Sequence, residues 1–206
     1  MFEQFKGQNL IEFSDSFPTS EKCKTYLSHY KWKEGFICSK CNHSQHWKGI
    51  KPFTKVCKSC RHVESVTANT LFHKVKFDLR KAFFILFEMS TSSKGSSSPN
   101  FAKRYGINQK TAWLFMNKVR KAMESSERYP LEGDCEVDEC YIGGSEEGKI
   151  GRGSDKKKKV AVVIEKSGKY GIKRAYALNI KNCSSMELKK IFDKHISKTT
   201  EVKTDK

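Results

Sequence analysis

Asp134-Cys135-Glu136-Val137-Asp138-Glu139-Cys140-Tyr141-Ile142-Gly143-Gly144 reads as a β-strand that ends in a glycine turn, and it carries four carboxylates in six residues. Strands do not readily hold so many like charges. Side chains alternate between the two faces of a strand, so Glu136, Asp138 and Cys140 fall on one side and Val137, Glu139 and Tyr141 on the other. Asp138 thus has a second acid on its own face. Two explanations stay open. A divalent cation such as Mg²⁺ or Mn²⁺, which prefers hard oxygen ligands, neutralises the cluster; or the acids protect an exposed edge strand from aggregation.

Toward the C-terminus, a basic loop from Lys149 to Lys159 contains Gly151-Arg152-Gly153-Ser154 and four consecutive lysines. It reads either as a grip on a DNA backbone, with Arg152 as the candidate contact, or as a solvated hairpin tip. Val160 to Ile164 and Lys173 to Asn179 are expected strands joined across Lys166-Ser167-Gly168-Lys169. Ser184-Ser185-Met186-Glu187 has the form of a capping box opening a helix with Leu188, Ile191, Phe192 and His195 inward. Glu201-Val202-Lys203-Thr204-Asp205 resembles a further strand. Three strands, a helix and a strand fit the opening half of an RNase H-like fold.

Toward the N-terminus the character changes at Tyr129-Pro130. Residues 1 to 130 carry 23 Lys and Arg against 10 Asp and Glu, a net +13, whereas the remainder has 17 against 13, a net +4 of the total +17. A basic surface favours a polyanionic partner through Coulomb steering and counterion release. Within this half, Phe101 to Trp113 reads as a short helix, a turn at Gly106 and a second helix capped by Asn108, with Ile107 between them. Ala112, Phe115, Met116, Val119 and Met123 are expected to line the inner face of the second helix. A helix-turn-helix places Gln109, Lys110 and Thr111 near base edges and Lys118, Arg120 and Lys121 on phosphates. The competing reading is an amphipathic helix pair with solvated lysines. Upstream, Asp78 caps an expected helix with Leu79, Phe83, Leu86 and Phe87 on one face, and Cys23, Tyr26, Leu27 and Tyr30 recur at helical spacing.

Cys38-Ser39-Lys40-Cys41 and Cys57-Lys58-Ser59-Cys60 are separated by fifteen residues, which fits a four-cysteine zinc site. Four thiolates close a tetrahedral shell and leave no open position, so the expected zinc is structural. Trp47 and Phe53 are expected to supply the apolar contacts of this small module, and His43, His46 and His62 to face solvent or DNA. Cys23, Cys135, Cys140 and Cys183 lack knuckle spacing and read as small buried or half-buried residues. The longest apolar run, Ala82 to Phe87, falls well short of the roughly 20 residues a bilayer requires. No membrane partner is expected. The first ten residues lack a signal-peptide core, and the expected location is cytoplasmic and nucleoid-associated.

These features together resemble the zinc-ribbon DDE transposases of bacterial insertion sequences, the ISXO-like branch. The resemblance rests on Trp32 to Cys41, the Cys57 to Cys60 knuckle, Gln109 to Trp113, Glu136 to Gly144, Gly151-Arg152-Gly153 and Thr204-Asp205. It implies an α+β multidomain chain: a helical lead (1–30), a zinc ribbon (31–67), a helix-turn-helix domain (68–127) and an incomplete RNase H-like α/β catalytic domain (131–206). It further implies that Asp138 and Asp205 are the first two catalytic acids and ligands of catalytic magnesium or manganese, with Glu139 in the motif but outside the acid set. The partner implied is double-stranded DNA, both element terminal repeats and target, bound by homo-oligomers in the intact relatives. In such enzymes the third catalytic position comes on a later helix, absent from these 206 residues. The expectation is a truncated chain inactive alone, so its status as an enzyme stays open. The alternatives are a non-enzymatic zinc-ribbon and helix-turn-helix regulator and, more weakly, an RNA-processing nuclease.

Overall fold

A computed structural model describes residues 9–92, 94–124, 129–144, 147, 156–168 and 171–204. The chain divides into two compact units, 1–124 and 125–206. Among the described residues no helix is long and apolar enough to cross a membrane.

The first unit begins with α1 (Leu10–Ser16) and α2 (Ser20–Lys31). Asn9 caps α1 by accepting from Ile11 and Glu12 N–H, while the Glu12 carboxylate accepts from Asn9 N–H. A three-stranded antiparallel sheet follows, β1 (His46–Lys48), β2 (Thr54–Cys57) and β3 (Val63–Ser65), in that spatial order. The chain then enters α3 (Leu79–Thr91), α4 (Ser98–Tyr105) and α5 (Gln109–Met123). Asp78 starts α3 by accepting from Lys81 N–H at 3.3 Å. The helix packs against both α2 and α5, so it buries more than one stripe: Leu79, Ala82, Phe83, Ile85 and Phe87. Ala82 and Ile85 are thus buried beside the expected face of Leu79, Phe83 and Phe87, whereas Leu86 is only half-buried. Stacked and edge-on phenylalanines tie the elements together, with Phe72 on Phe83 at 4.8 Å and Phe13 on Phe87 at 4.3 Å. Arg80 fastens α1 to α3 by donating to Phe17 O at 2.8 Å and Ser14 Oγ at 3.1 Å.

The second unit holds β4 (Cys135–Ile142), β5 (Lys158–Ser167), β6 (Gly171–Ile180), α6 (Ser185–His195) and β7 (Val202–Thr204). The sheet order is β6-β5-β4-β7; the hairpin pairs are antiparallel, and β7 runs parallel to β4 with Cys135 opposite Val202 and Val137 opposite Thr204. A helix between β6 and β7 supplies the crossover that a parallel pair requires. Cys135, Val137, Ala161, Val163 and Ile180 form one core with Ile191 of α6. Ser184 caps α6 by accepting from Glu187 N–H, but the expected reciprocal bond is replaced: Glu187 pairs with Lys190, and Ser184 N–H goes to Asn182 Oδ1 at 3.1 Å. His195 lies 2% exposed near the Tyr176 ring, and neither ring nitrogen has a partner among the described residues.

Glu165 is the buried charge of this unit, 1% exposed. Its carboxylate accepts from Lys173 Nζ at 2.6 Å and Arg174 Nε at 2.7 Å, and Arg174 also donates to Tyr129 O and Pro130 O. The clamp thus secures the chain where it enters the sheet. Burial alone would raise the Glu165 pKa, but the hydrogen bonds and charges of Lys173 and Arg174 outweigh it and hold the group below its ordinary value. A depressed carboxylate stabilises the fold above the unfolded pKa of about 4.3, and that stability is lost as pH falls through the lower folded value. Breaking the clamp with Glu165→Gln is expected to cost about 2 kcal/mol at neutral pH, less than a fully buried pair because Lys173 is 59% exposed. The same change should flatten the stability of second-unit amides against pH below about 4 in hydrogen exchange on the full chain; an unchanged neutral-pH stability contradicts the clamp.

Candidate functional site

The four knuckle cysteines converge. Their sulfurs all lie within 4.8 Å of one another, and the Cys38–Cys60 and Cys41–Cys57 pairs are each 3.5 Å apart. A tetrahedral zinc with Zn–S bonds of about 2.3 Å has sulfur–sulfur edges of about 3.8 Å, so the donor set fits such an ion. The two knuckles repeat one hydrogen-bond pattern. Cys38 N–H donates to His43 O and Asn42 N–H to Cys38 O; Cys57 N–H donates to His62 O and Arg61 N–H to Cys57 O. Each turn closes through a left-handed residue, Asn42 at φ 59° and Arg61 at φ 56°. Cys60 is pushed up to about 12: the His62 backbone contact lowers it, but desolvation and hydrogen bonds with the other three thiols prevail.

Packing around the cluster departs from expectation. Trp47 is 51% exposed, and Phe53 is half-buried at φ 58°. Phe36 and Trp32 pack on Cys38, Cys57 and Cys60 instead. Register supplies the reason: His46 pairs with Cys57 and Trp47 with Val56, so alternation turns Trp47 away from the sulfurs. His43, His46 and His62 are half-buried rather than fully solvent-facing. The His46 ring lies 4.9 Å from Phe36, and desolvation, then Lys55 and Lys58, lowers its pKa. Lys31 joins the module to α2 through Glu64 at 2.9 Å and the carbonyls of Ser65 and Ala68. Glu64 also accepts from Ser39 N–H at 3.3 Å. Burial alone would raise the Glu64 pKa, but Lys31 and Ser39 hold it down.

At the α4–α5 junction, Gly106 adopts φ 57° and Ile107 N–H donates to Ala102 O. Asn108 accepts from Lys110 N–H at 2.9 Å and so opens α5. The helix buries Ala112, Phe115, Met116 and Val119. Met123, expected inward, is 52% exposed at the end of the helix. Gln109, Lys110, Arg120 and Lys121 are exposed, and Thr111 is half-buried. Lys118 is exposed but not unengaged, since its ammonium donates to His73 O at 2.7 Å. Lys110, Thr111, Lys118 and Lys121 border one groove, whereas Gln109 and Lys110 border a second hollow beside Trp113. Arg120 borders neither and donates to Asn117 Oδ1 at 3.2 Å.

On β4, Cys135 and Val137 are buried while Asp138 is exposed. Asp138 lies opposite Val162, whose other neighbour is Ala177. Glu136, the second acid there, is paired with Lys166. Asp138 Oδ1 accepts from Glu139 N–H at 2.7 Å, and among the described residues Asp138 has no ion pair. One carboxylate with an uncommitted oxygen suits a cation ligand but does not make a site by itself; among the described residues the four cysteines are the only metal-ligand group. Arg152 and Asp205 lie outside the described residues; β7 is described through Thr204, the residue before Asp205.

Sequence reasoning did not find the Lys31–Glu64 pair, the Glu165 clamp or the left-handed residues of the knuckles. None of these has a local signature, since Asn42 and Arg61 are not glycines and the ion pairs join distant segments. Neither the curated proteins nor the solved structures compared with the chain yielded a match. Residues 130–206 match the family model described as the ISXO2-like transposase domain, so the unit built around β4 is similar, at the level of the family, to the transposases of insertion sequences.

Proposed function

We propose that these residues form the DNA-binding modules and the acid-bearing sheet of an insertion-sequence transposase. The observation that carries this reading is the match of residues 130–206 to the ISXO2-like transposase domain. The order β6-β5-β4-β7, with β7 parallel to an acid-bearing central strand, supports an RNase H-like sheet. In this reading residues 31–67 are a zinc ribbon held by Cys38, Cys41, Cys57 and Cys60, and residues 68–127 are a helix-turn-helix domain. Gln109, Lys110 and Thr111 approach base edges of duplex DNA, and Arg120, Lys121 and Arg152 contact phosphates.

Asp138 and Asp205 are the carboxylates that hold magnesium or manganese, with the third catalytic acid on a later helix as in the resembling enzymes. The ions, when bound, supply charge that stabilises the attacking and leaving oxygens of the phosphodiester. Asp138 is suited to this role because Glu139 N–H orients one of its oxygens and no cationic side chain among the described residues neutralises it. Glu136, paired with Lys166, is left out of the set. A DNA-binding regulator accounts for the first unit alone and gives no reason for an unneutralised Asp138 on a central strand.

Three outcomes are expected. Removing metal with a chelator should abolish hydrogen-exchange protection across residues 36–66 while second-unit amides keep theirs, because such modules draw most of their stability from the ion; protection that survives chelation contradicts the zinc assignment. Residues 1–206, zinc-loaded, should retard duplex DNA, and Lys110→Gln/Arg120→Gln/Lys121→Gln should weaken that binding by about tenfold or more at moderate salt. In a strand-transfer reaction with Mg²⁺ and terminal repeats, the same residues should bind without joining. Robust joining overturns the requirement for a further acid, and failure to bind duplex DNA overturns the functional reading.

A further inference from the structure

The segment that leads from the cysteine module to α3 forms one bank of a groove whose other bank is α5. Lys74 and Lys76 face Lys110, Lys118 and Lys121 across it, and among the described residues no Asp or Glu borders the groove. The floor is apolar, made by Val75, Phe77, Leu114 and Phe115. The bank is held in shape at both ends. Phe72 is buried and stacks on Phe83 at 4.8 Å, and Phe77 packs edge-on against Phe115 at 5.5 Å. Between these anchors His73 N–H donates to Thr70 O at 2.9 Å and Val75 N–H to Phe72 O at 3.3 Å. Lys118 bridges the banks through its bond to His73 O at 2.7 Å. Lys74 itself sits at φ 55°, a conformation unusual for a residue other than glycine and one that surrounding structure must enforce.

We propose that this groove seats the sugar-phosphate backbone of duplex DNA, with Lys74 and Lys76 contacting phosphates on the side opposite those reached from α5. The inference rests on the proposed DNA-binding role of α5 and extends the interface to a segment outside that helix. Charge decides the class of occupant: five ammonium groups along a groove that no described carboxylate lines attract a polyanion. The floor decides between duplex and single strand. Binding of unpaired bases uses exposed aromatic rings as stacking platforms, whereas Phe115 is buried and Phe77 half-buried, each against neighbouring side chains. Such a floor suits the apolar faces of sugars between phosphates. Lys118 acts as a positioning residue, because its ammonium is already bonded to the bank it steadies.

The test measures binding of zinc-loaded residues 1–206 to a mixed-sequence DNA duplex over a series of salt concentrations. Lys74→Gln/Lys76→Gln is expected to weaken binding and to reduce the slope of log K against log salt by about 2, near 0.9 for each phosphate that the variant leaves unneutralised. Lys22→Gln/Lys24→Gln, an equal charge change at exposed positions on α2, should leave the slope close to that of the unaltered protein. Circular dichroism and zinc content establish that each variant is folded. If the α2 variant lowers the slope as much, or the Lys74/Lys76 variant does not lower it while the α5 variant does, the inference fails and the α5 reading stands. If the unaltered protein does not bind the duplex, both fail. Preference for single-stranded DNA of equal length, or self-association abolished by Lys74→Gln/Lys76→Gln with no effect on duplex binding, also overturns the proposal.

Discussion

The alternation of β4 sets the terms for the second unit. Its even-numbered positions Glu136 and Asp138 and its odd-numbered positions Cys135 and Val137 cannot share a face. The odd set is drawn into the core beside Val163 and Ile191. The acids are thereby turned outward on a strand paired on both sides, by β5 and by β7. A one-residue slip would bury Asp138 and expose Val137, a change opposed by both desolvation and poorer packing. The core therefore fixes where the carboxylates point, and Lys166 removes Glu136 from contention by pairing with it. On that face Asp138 is left as the carboxylate that neither packing nor a neighbouring cation accounts for.

The first unit solves a different problem. Its cysteine module has little apolar matter to bury, Phe36 with the partly buried Trp32, so convergence of four sulfurs on one point takes the place of a core. Lys31 and Glu64 fasten that module to α2. The helices, by contrast, close around α3, whose phenylalanines meet neighbours on several sides. Excess positive charge is left on the outer surface of α5 and on the adjoining bank at Lys74 and Lys76. Packing and charge are thus assigned to opposite sides of one helix.

Local grammar was readable in advance where a residue acts on its own backbone. Gly106, Asn108, Asp78 and Ser184 do what their side chains permit at helix ends, and the two CxxC spacings bring four sulfurs together. The alternation along β4 was likewise legible, because it is a property of one strand. What escaped depends on partners distant in sequence. The exposure of Trp47 follows from its pairing with Val56, and the engagement of Lys118 follows from a carbonyl 45 residues away. Glu165 reads in the sequence as one more charge on a strand, and only the approach of Arg174 makes it a buried anchor. The left-handed turns at Asn42 and Arg61 escaped for a different reason: neither residue type requires that conformation, and the knuckle imposes it.

The central claim is that the outward face of β4 carries a divalent-cation ligand at Asp138. Paramagnetic relaxation of backbone amides on titration with Mn²⁺ tests it most directly. Broadening should concentrate at Glu136 to Cys140 and at Val162, the residue opposite Asp138, and should disappear in Asp138→Asn. Equal broadening in that variant, or none at β4 in the unaltered protein, would contradict the account.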